Sequence, residues 1–481
     1  MQNCVRRFIY SAIMVSLLAG VLMVPASVHA SAPSYNYSYW GTTVAAPAAY
    51  QANLLENGEK SGAGAFKEPS DLYVSDDQEV YVLDTGNNRV VVLDEQLKLL
   101  RIIDSFGGAD SFNKPQGIFV TEGKHVYIAD TGNRRVVHLD EQDRLVKIIE
   151  APQSDLLQSS FVFQPARVVV DRANRVYVMA IGVFDGFMEF NADGEFTTFI
   201  GANRVSVDPI EYLWKLLSTR EQRSQMVQFT PTEFTSLDID REGFIYATNG
   251  DSWGNTIKKL NAQGADILRR GGYFDPGGDI RYSSYDGPPR LIDIDVTDSE
   301  IYSVLDAKKG RIFTYDGDGY LLYIFGDLGN RMGEFHTPVA IERLGDRFLV
   351  LDRVLGEITV FETTEYGRVL NDAVRSYYQG DEAQAAALFG QAVNMNANLE
   401  YAYNGLGKAA LRQGNYKQAV EYFSRSMDRK YYSKAFVLYR KETLRSYFPT
   451  IMTGLVVGSI AVLALRKILK TRGRKKVVSI E

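Results

Sequence analysis

A phrase written twice sets the strongest limit on what this chain can become. "DTGNNRVVVLDEQ" begins at Asp84 and "DTGNRRVVHLDEQ" at Asp130, 46 positions later (130 − 84). The match runs without a gap from Val80–Ile103 onto Val126–Ile149, and "FKEPSDLYV" from Phe66 answers "FNKPQGIFV" from Phe112 at the same offset. A period of roughly 40–50 residues signals an array of units, each covering its neighbour's apolar face. Within the second copy, Gly117–Val120, Val126–Asp130, Arg135–Asp140 and Leu145–Glu150 are β-branched or aromatic runs separated by polar turns, which predicts four short strands per unit. The Asp-Thr-Gly-Asn turn joins the second strand to the third. A carboxylate that bonds backbone amides, a glycine and an asparagine are turn chemistry, so its role is expected to be structural rather than catalytic.

Four-stranded meanders in tandem predict an all-β propeller. Worn copies follow: "PARVVVDRANRVYVMA" from Pro165, "SLDIDREGFIYATNG" from Ser236, "PRLIDIDVTDSEIYSVLD" from Pro289 and "PVAIERLGDRFLVLD" from Pro338. Pro69, Pro115, Pro165, Pro289 and Pro338 each precede a first strand, and the units number six. The early segment "YNYSYWGTTVAAPAAYQANLL" is expected to add a strand to the last blade and close the ring without a free edge. From about Tyr35 to Glu362 the Pro…VYVxDTGNNRVxxxD pattern resembles the NHL repeat. That resemblance implies a six-bladed propeller used mostly as a binding platform; a minority of such propellers, and relatives such as lactonases and amidating lyases, are enzymes. Between units three and four, "DPIEYLWKLLSTREQRSQM" predicts a helical insertion at about 205–228, opened by Asp208 as N-cap, Pro209 and Glu211. Rim packing and a lid are equal readings of it.

Past Tyr366 the period changes. "YYQGDEAQAAALFGQAVNMNAN" and "LRQGNYKQAVEYFSRSMDRKYY" repeat at a shift of 34, with Gly380 matching Gly414, Ala385 matching Ala419, and Phe389 matching Phe423. Small residues where helices touch, at that period, resemble the tetratricopeptide repeat (TPR). The proline that usually ends such a repeat is missing, with Asn396 and Lys430 near its place. Two repeats are fewer than stand alone, so this module is expected to pack against the propeller.

The ends read as targeting segments. Residues 1–30, with Arg6 and Arg7, an apolar run and "VHA" before Ser31, predict a secretory signal peptide. Cys4 is the only cysteine, so an exported mature chain would hold no disulfide. "YFPTIMTGLVVGSIAVLAL" (447–465) is long enough to span a bilayer, and the basic tail at 466–481 orients it with the C-terminus in the cytoplasm. The expected organisation is signal peptide 1–30, propeller 31–364, TPR-like module 365–446, membrane span and tail, a single-pass type I protein. Setting aside both basic ends leaves 44 of the 53 Lys and Arg against 58 of the 59 Asp and Glu, a net of −14 (44 − 58), which disfavours a nucleic-acid partner.

The case for catalysis from sequence is thin. The mature histidines are His125, His138 and His336. The first two open or lie within strands and are expected to point away from the channel; no histidine zinc site can be built from them. Motifs for a serine hydrolase, zincin or phosphate loop are absent. Lactonase-like propellers hold a cation on channel carboxylates, and that resemblance makes Glu68, Glu233 and Asp293 weak candidates for a divalent cation; no other cofactor is implied. Arg167, Trp253, Tyr285, Asp286, Arg290 and His336 fall on loops or strand starts at one face and suit a carbohydrate or peptide ligand. The favoured function is a membrane-anchored extracytoplasmic scaffold for protein partners of an envelope or transport complex, a sugar transporter among the options. The alternatives are a cation-dependent lactonase-like hydrolase or lyase on the channel, and a polysaccharide-binding surface protein.

Overall fold

The computed structural model describes residues 34–108, 110–154, 157, 161–203, 218, 232–250 and 255–477. The signal peptide, the inserted helix (Ser218 apart) and Trp253 therefore lie outside the described residues.

Six antiparallel sheets succeed one another around a channel. Blade one orders Asp71–Val74, Val80–Asp84, Arg89–Leu93 and Leu99–Ile103 from the inside outward, and blades two (117–149), three (165–200) and five (291–325) repeat that order. Val80 to Leu83 and Val90 to Leu93 are wholly buried, because each blade is sandwiched between two others and both faces of its central strands are covered. Blade four has three strands, with its fourth reduced to a bridge between Leu260 and Asp266. The Asp266 carboxylate accepts the Lys259 and Leu268 N–H groups at 3.3 and 3.0 Å, which turns the chain before a ladder can extend. Blade six borrows its outer strand: Tyr50–Glu56 pairs antiparallel with Glu357–Thr363. The strand expected from the early segment thus closes the ring, joining the two ends of the propeller and removing an open edge.

The repeated phrase is a knot at the end of each early blade. Asp84, fully buried, accepts from Lys67 N–H at 2.7 Å, Asn87 Nδ2 at 2.8 Å and Arg89 Nε at 2.7 Å. Asp130 repeats this with Asn113 N–H, Asn133 Nδ2 and Arg135 Nε. Each carboxylate ties the turn after the second strand to the loop that enters the first. The glycine is needed for closeness rather than for a positive φ. A Cβ on Gly86 would lie 2.6 Å from the Lys67 carbonyl oxygen, and one on Gly132 2.4 Å from that of Asn113. The left-handed position falls two residues later, on Asn88 (φ 54°) and, in the second copy, on Arg134 (φ 59°).

Five helices follow: α1 (Glu365–Tyr378), α2 (Glu382–Met395), α3 (Glu400–Arg412), α4 (Tyr416–Arg425) and α5 (Arg429–Val477). Thr364 caps α1, its Oγ1 accepting the Gly367 N–H at 3.1 Å. Ala385, Phe389, Ala419 and Phe423, paired by the 34-residue shift, are all buried at helix contacts, and Gly380 and Gly414 both take positive φ just past a helix end. The helices do not stand off from the propeller. One apolar core joins Leu305, Phe325, Phe348 and Phe361 of blades five and six to Leu370, Val374, Phe389 and Ala402 of α1–α3. At its centre, Asn371 of α1 donates to the Tyr50 hydroxyl at 3.0 Å and accepts from that of Tyr323 at 2.9 Å, so the closing strand, blade five and α1 share one polar clasp. Tyr401 packs on Tyr320 at 5.5 Å, and Tyr273 OH donates to the Ser426 carbonyl at 2.5 Å. The expected packing against the propeller is present. Helix α5 is long and apolar enough to cross a membrane, and its apolar stretch is wholly unburied.

The N-terminal hairpin, Tyr35–Tyr37 with Thr43–Ala45, lies along blade five. Its tyrosines converge on buried Asp279, whose Oδ1 accepts from Tyr35 OH and Tyr37 OH, each at 2.5 Å, while Oδ2 meets Lys309 at 3.0 Å and Arg311 at 2.8 Å. Burial opposes the charge on Asp279, but these donors and cations outweigh it and hold the carboxyl below its ordinary range.

Candidate functional site

The channel is walled by the innermost strand of every blade, and alternate residues of those strands face inward. Two positions after Pro69 and Pro165 stand Asp71 and Arg167, 3.8 Å apart; the corresponding places in blades four and five are Ser236 and Asp293. Ser236 Oγ donates to Asp293 Oδ1 at 2.7 Å, and Asp293 Oδ2 accepts the Ile341 N–H at 2.7 Å. Two residues further along come Asp238, Asp295 and Glu342. Asp71 Oδ2 accepts Ile118 N–H at 3.0 Å and Asp238 Oδ2 accepts Val296 N–H at 2.9 Å, each from the next blade's first strand. Asp295 meets Arg343 of blade six at 3.1 Å. These carboxylates stitch neighbouring blades together from inside.

Their charge is costly there. Burial, opposed by Arg167 and reinforced by Asp293, pushes the Asp71 carboxyl up to about 7. Burial raises Asp293 and Asp295 as well, and burial together with the neighbouring acids raises Asp238 and Glu342 well above the usual carboxylate range.

One end of the channel opens as a funnel of about 630 Å3, ringed by the turns between first and second strands. Tyr73 and Phe119, 5.0 Å apart, line it alongside Asp238, Asp295 and Glu342. Arg241 of blade four pairs with Asp76 of blade one, on the opposite side of the ring, at 2.9 Å, and with Asp298 at 3.0 Å. His125 also lines this funnel and shares a 2.8 Å contact with His138, which stacks on Tyr127 at 4.1 Å. The expectation that both histidines face away is therefore corrected for His125: the first-to-second-strand turn carries it onto the funnel rim. Burial, then the charge of His125, lowers the His138 imidazole to about 4.

The candidates read from sequence disperse. Arg167 and Asp293 meet in the channel with Asp71. Glu68 sits at the opposite mouth, and Glu233 is exposed before the first strand of blade four. Tyr285 is 98 % exposed, Asp286 closes a local turn with Ser283 at 2.8 Å, and the Arg290 N–H donates to Asp306, all on the loop entering blade five. On the loop entering blade six, His336 donates its N–H to Asp352 and bonds Asn330 through Nε2 at 2.6 Å. Among the described residues no group of three or more His, Cys, Asp or Glu is arranged to hold a metal ion. Sequence reasoning missed Asp71, Asp238, Asp295, Glu342 and Arg353. The usable signal was the alternation along each first strand after its proline; Arg167 had been chosen only for its place at a strand start.

The NHL repeat family matches residues 66–93, the first blade's entering loop and inner three strands. No curated protein matches the chain. Among solved structures, virginiamycin B lyase from Staphylococcus aureus aligns over 66% of this chain and 100% of its own at 8% identity, with a TM-score of 0.40. Kuenenia stuttgartiensis hydrazine synthase aligns over 62% and 96% at 11% identity and a TM-score of 0.41. A streptogramin B lyase aligns over 66% and 100% at 11% identity and a TM-score of 0.39. At such scores these likenesses decide nothing about ligand or activity. The chain is a six-bladed β-propeller containing an NHL repeat, followed by a helical region with one long apolar helix.

Proposed function

We propose that this protein is a membrane-anchored, extracytoplasmic binding scaffold. The observation that carries the reading is the single core shared by blades five and six and helices α1–α3. A propeller on a slack linker would present its faces at random. Here the last helix in contact with the stack, α5, continues unbroken into the apolar stretch, so the propeller's orientation is set relative to that helix. On this reading α1–α4 are two TPR-type hairpins and α5 crosses the bilayer over about 447–465. The basic tail lies in the cytoplasm and residues 1–30 direct export. Tethering raises the effective concentration of the propeller beside its neighbours in the same membrane.

The partner is read as a protein of an envelope or transport complex, and a sugar transporter fits that description. A cleft lined by Gln391, Asn394, Tyr403, Gln418, Tyr422 and Arg425 on α2–α4 offers hydrogen-bonding side chains for a peptide segment. The hydrolase alternative has less support. Asp293 is engaged by Ser236 and Ile341, and Glu68 and Glu233 stand apart from it. Lysine-reactive cross-linking in intact cells, followed by mass spectrometry, tests the scaffold reading. The expected product is one recurring membrane protein joined through Lys417 or Lys434. Recovery of self-links alone would sink it.

A further inference from the structure

The two ends of the channel differ in charge. Opposite the acidic funnel, between blades one, two and six, lies a cavity of about 370 Å3 whose lining includes Lys67, Glu68, Asn88, Lys114, Gln116 and Arg353. Lys67, Lys114 and Arg353 enter no ion pair among the described residues, and Glu68 is the one carboxylate in the lining. Arg167 underlies this wall: its Nη1 lies 2.5 Å from the Gln116 carbonyl oxygen, and its Nε is buried without a partner among the described residues. Partial burial and then the charge of Arg167 hold the Arg353 guanidinium below its ordinary value, against the opposing pull of Glu68. Two guanidinium groups are thus kept near each other with one carboxylate between three lysine and arginine side chains of the lining.

Among the neutral groups, Asn88 presents a donor. Asn88 Oδ1 is taken by the Lys114 N–H at 2.7 Å, which leaves its amide NH2 group to donate. The hydroxyls of Ser70 and Thr85 lie 3.2 and 2.7 Å from the Pro115 carbonyl, inside the fold's own bonding. A cavity lined by three cations against one carboxylate, with an amide donor at Asn88, favours negative charge.

We propose that this mouth binds a small oxyanion, the carboxylate or phosphate group of a compact ligand, with Arg353 as its principal partner and Lys67 and Lys114 flanking it. A guanidinium offers paired donors that match either group. The volume admits one anionic group with an attached ring, the size of a sugar acid or sugar phosphate, at the lower end of small-molecule sites. This site stands independently of the scaffold reading, since it needs neither a membrane nor a protein partner.

The test is calorimetric titration of the full-length, detergent-solubilised protein with inorganic phosphate in one arm and glucuronate in the other. Binding is expected in at least one arm, and the tighter arm assigns phosphate or carboxylate. Arg353→Gln should weaken it at least tenfold, whereas Arg134→Gln, outside the lining, should leave it unchanged. Raising the salt concentration should weaken it too, as for any exposed charge contact. Because the Arg353 side chain holds no ion-pair partner among the described residues, the variant should melt as wild type does. Should it misfold, Lys67→Gln is expected to lower affinity in the same assay. No heat in either arm, or unaltered binding by a folded Arg353→Gln protein, overturns the proposal.

Discussion

Alanine at Asp84 is expected to lower the free energy of unfolding by about 3–5 kcal/mol, the usual cost of removing one partner from a buried charged pair. The Asp84 carboxylate is wholly buried and is the acceptor for the Lys67 N–H, Asn87 Nδ2 and Arg89 Nε. Its loss takes the acceptor from the Lys67 N–H, worth about 1–3 kcal/mol if left unpaired, while the exposed Asn87 keeps the Ala65 carbonyl at 3.2 Å. Arg89 keeps partial support from the Ala63 and Gly64 carbonyls, at 2.8 and 3.0 Å, which holds the loss toward the lower end. Asp84→Asn retains the shape and one acceptor oxygen, so about half the effect is expected. Asp130→Ala should match Asp84→Ala, because its three bonds are the same. Denaturant unfolding monitored by tryptophan or far-UV signal measures all three. A change below about 1 kcal/mol for both alanine variants would mean that the repeated phrase is decoration rather than a knot.

The second large effect is an unusual pH profile. Asp71 in the channel and Asp316, buried in the turn between the two outer strands of blade five, are pushed by burial up to about 7, and the channel acids Asp238, Asp293, Asp295 and Glu342 are raised too. A carboxyl whose folded value exceeds its unfolded one, near 4, contributes stability that is full below pH 4 and is lost as pH rises through about 7. For an isolated group, raising the folded value by one pH unit corresponds to about 1.4 kcal/mol, and neighbouring acids share that among themselves. His138 runs the other way. Its folded value near 4 lies below the unfolded 6.5, so its contribution is full above pH 6.5 and fades as pH falls toward 4. Six acids outweigh one half-buried imidazole, so stability should rise by about 2–4 kcal/mol from pH 8 to pH 5. Asp71→Asn and Glu342→Gln should each stabilise the protein at pH 8 and flatten the profile. A melting temperature that climbs steadily from pH 5 to pH 8 would contradict this account of the buried acids.

Much of the architecture was legible because it is written in local signals. The strands of blade two follow the sequence reading to within one residue at their ends, since polar turns and Gly or Asn interrupt each β-branched run. The closing strand was legible for a different reason: a ring of blades leaves one unpaired edge, and only the early segment was free to cover it. Contacts that depend on distant partners were not legible. Nothing local in Asn371 says that Tyr50, 321 positions away, will accept its amide proton. The acids of the channel were hidden for the same reason. Asp238, Asp295 and Glu342 look like solvated strand residues until the inner face of each first strand is known. Arg353 was hidden by its place in a worn turn, where "DRVLGE" replaces the repeated phrase and no motif marks the arginine.

The measurement that bears most directly on the central claim, an exported propeller held at a membrane by α5, is the sidedness of two single cysteines. With Cys4→Ser as background, Tyr285→Cys places a thiol at a position 98 % exposed on the propeller, and Ser479→Cys places one in the basic tail. Intact cells are treated with a membrane-impermeant maleimide before and after permeabilisation. The account predicts that Tyr285→Cys reacts in intact cells and Ser479→Cys only once the membrane is opened, with both proteins sedimenting with membranes after alkaline extraction. Labelling of Tyr285→Cys only after permeabilisation, or release of the protein into the soluble fraction, would contradict it.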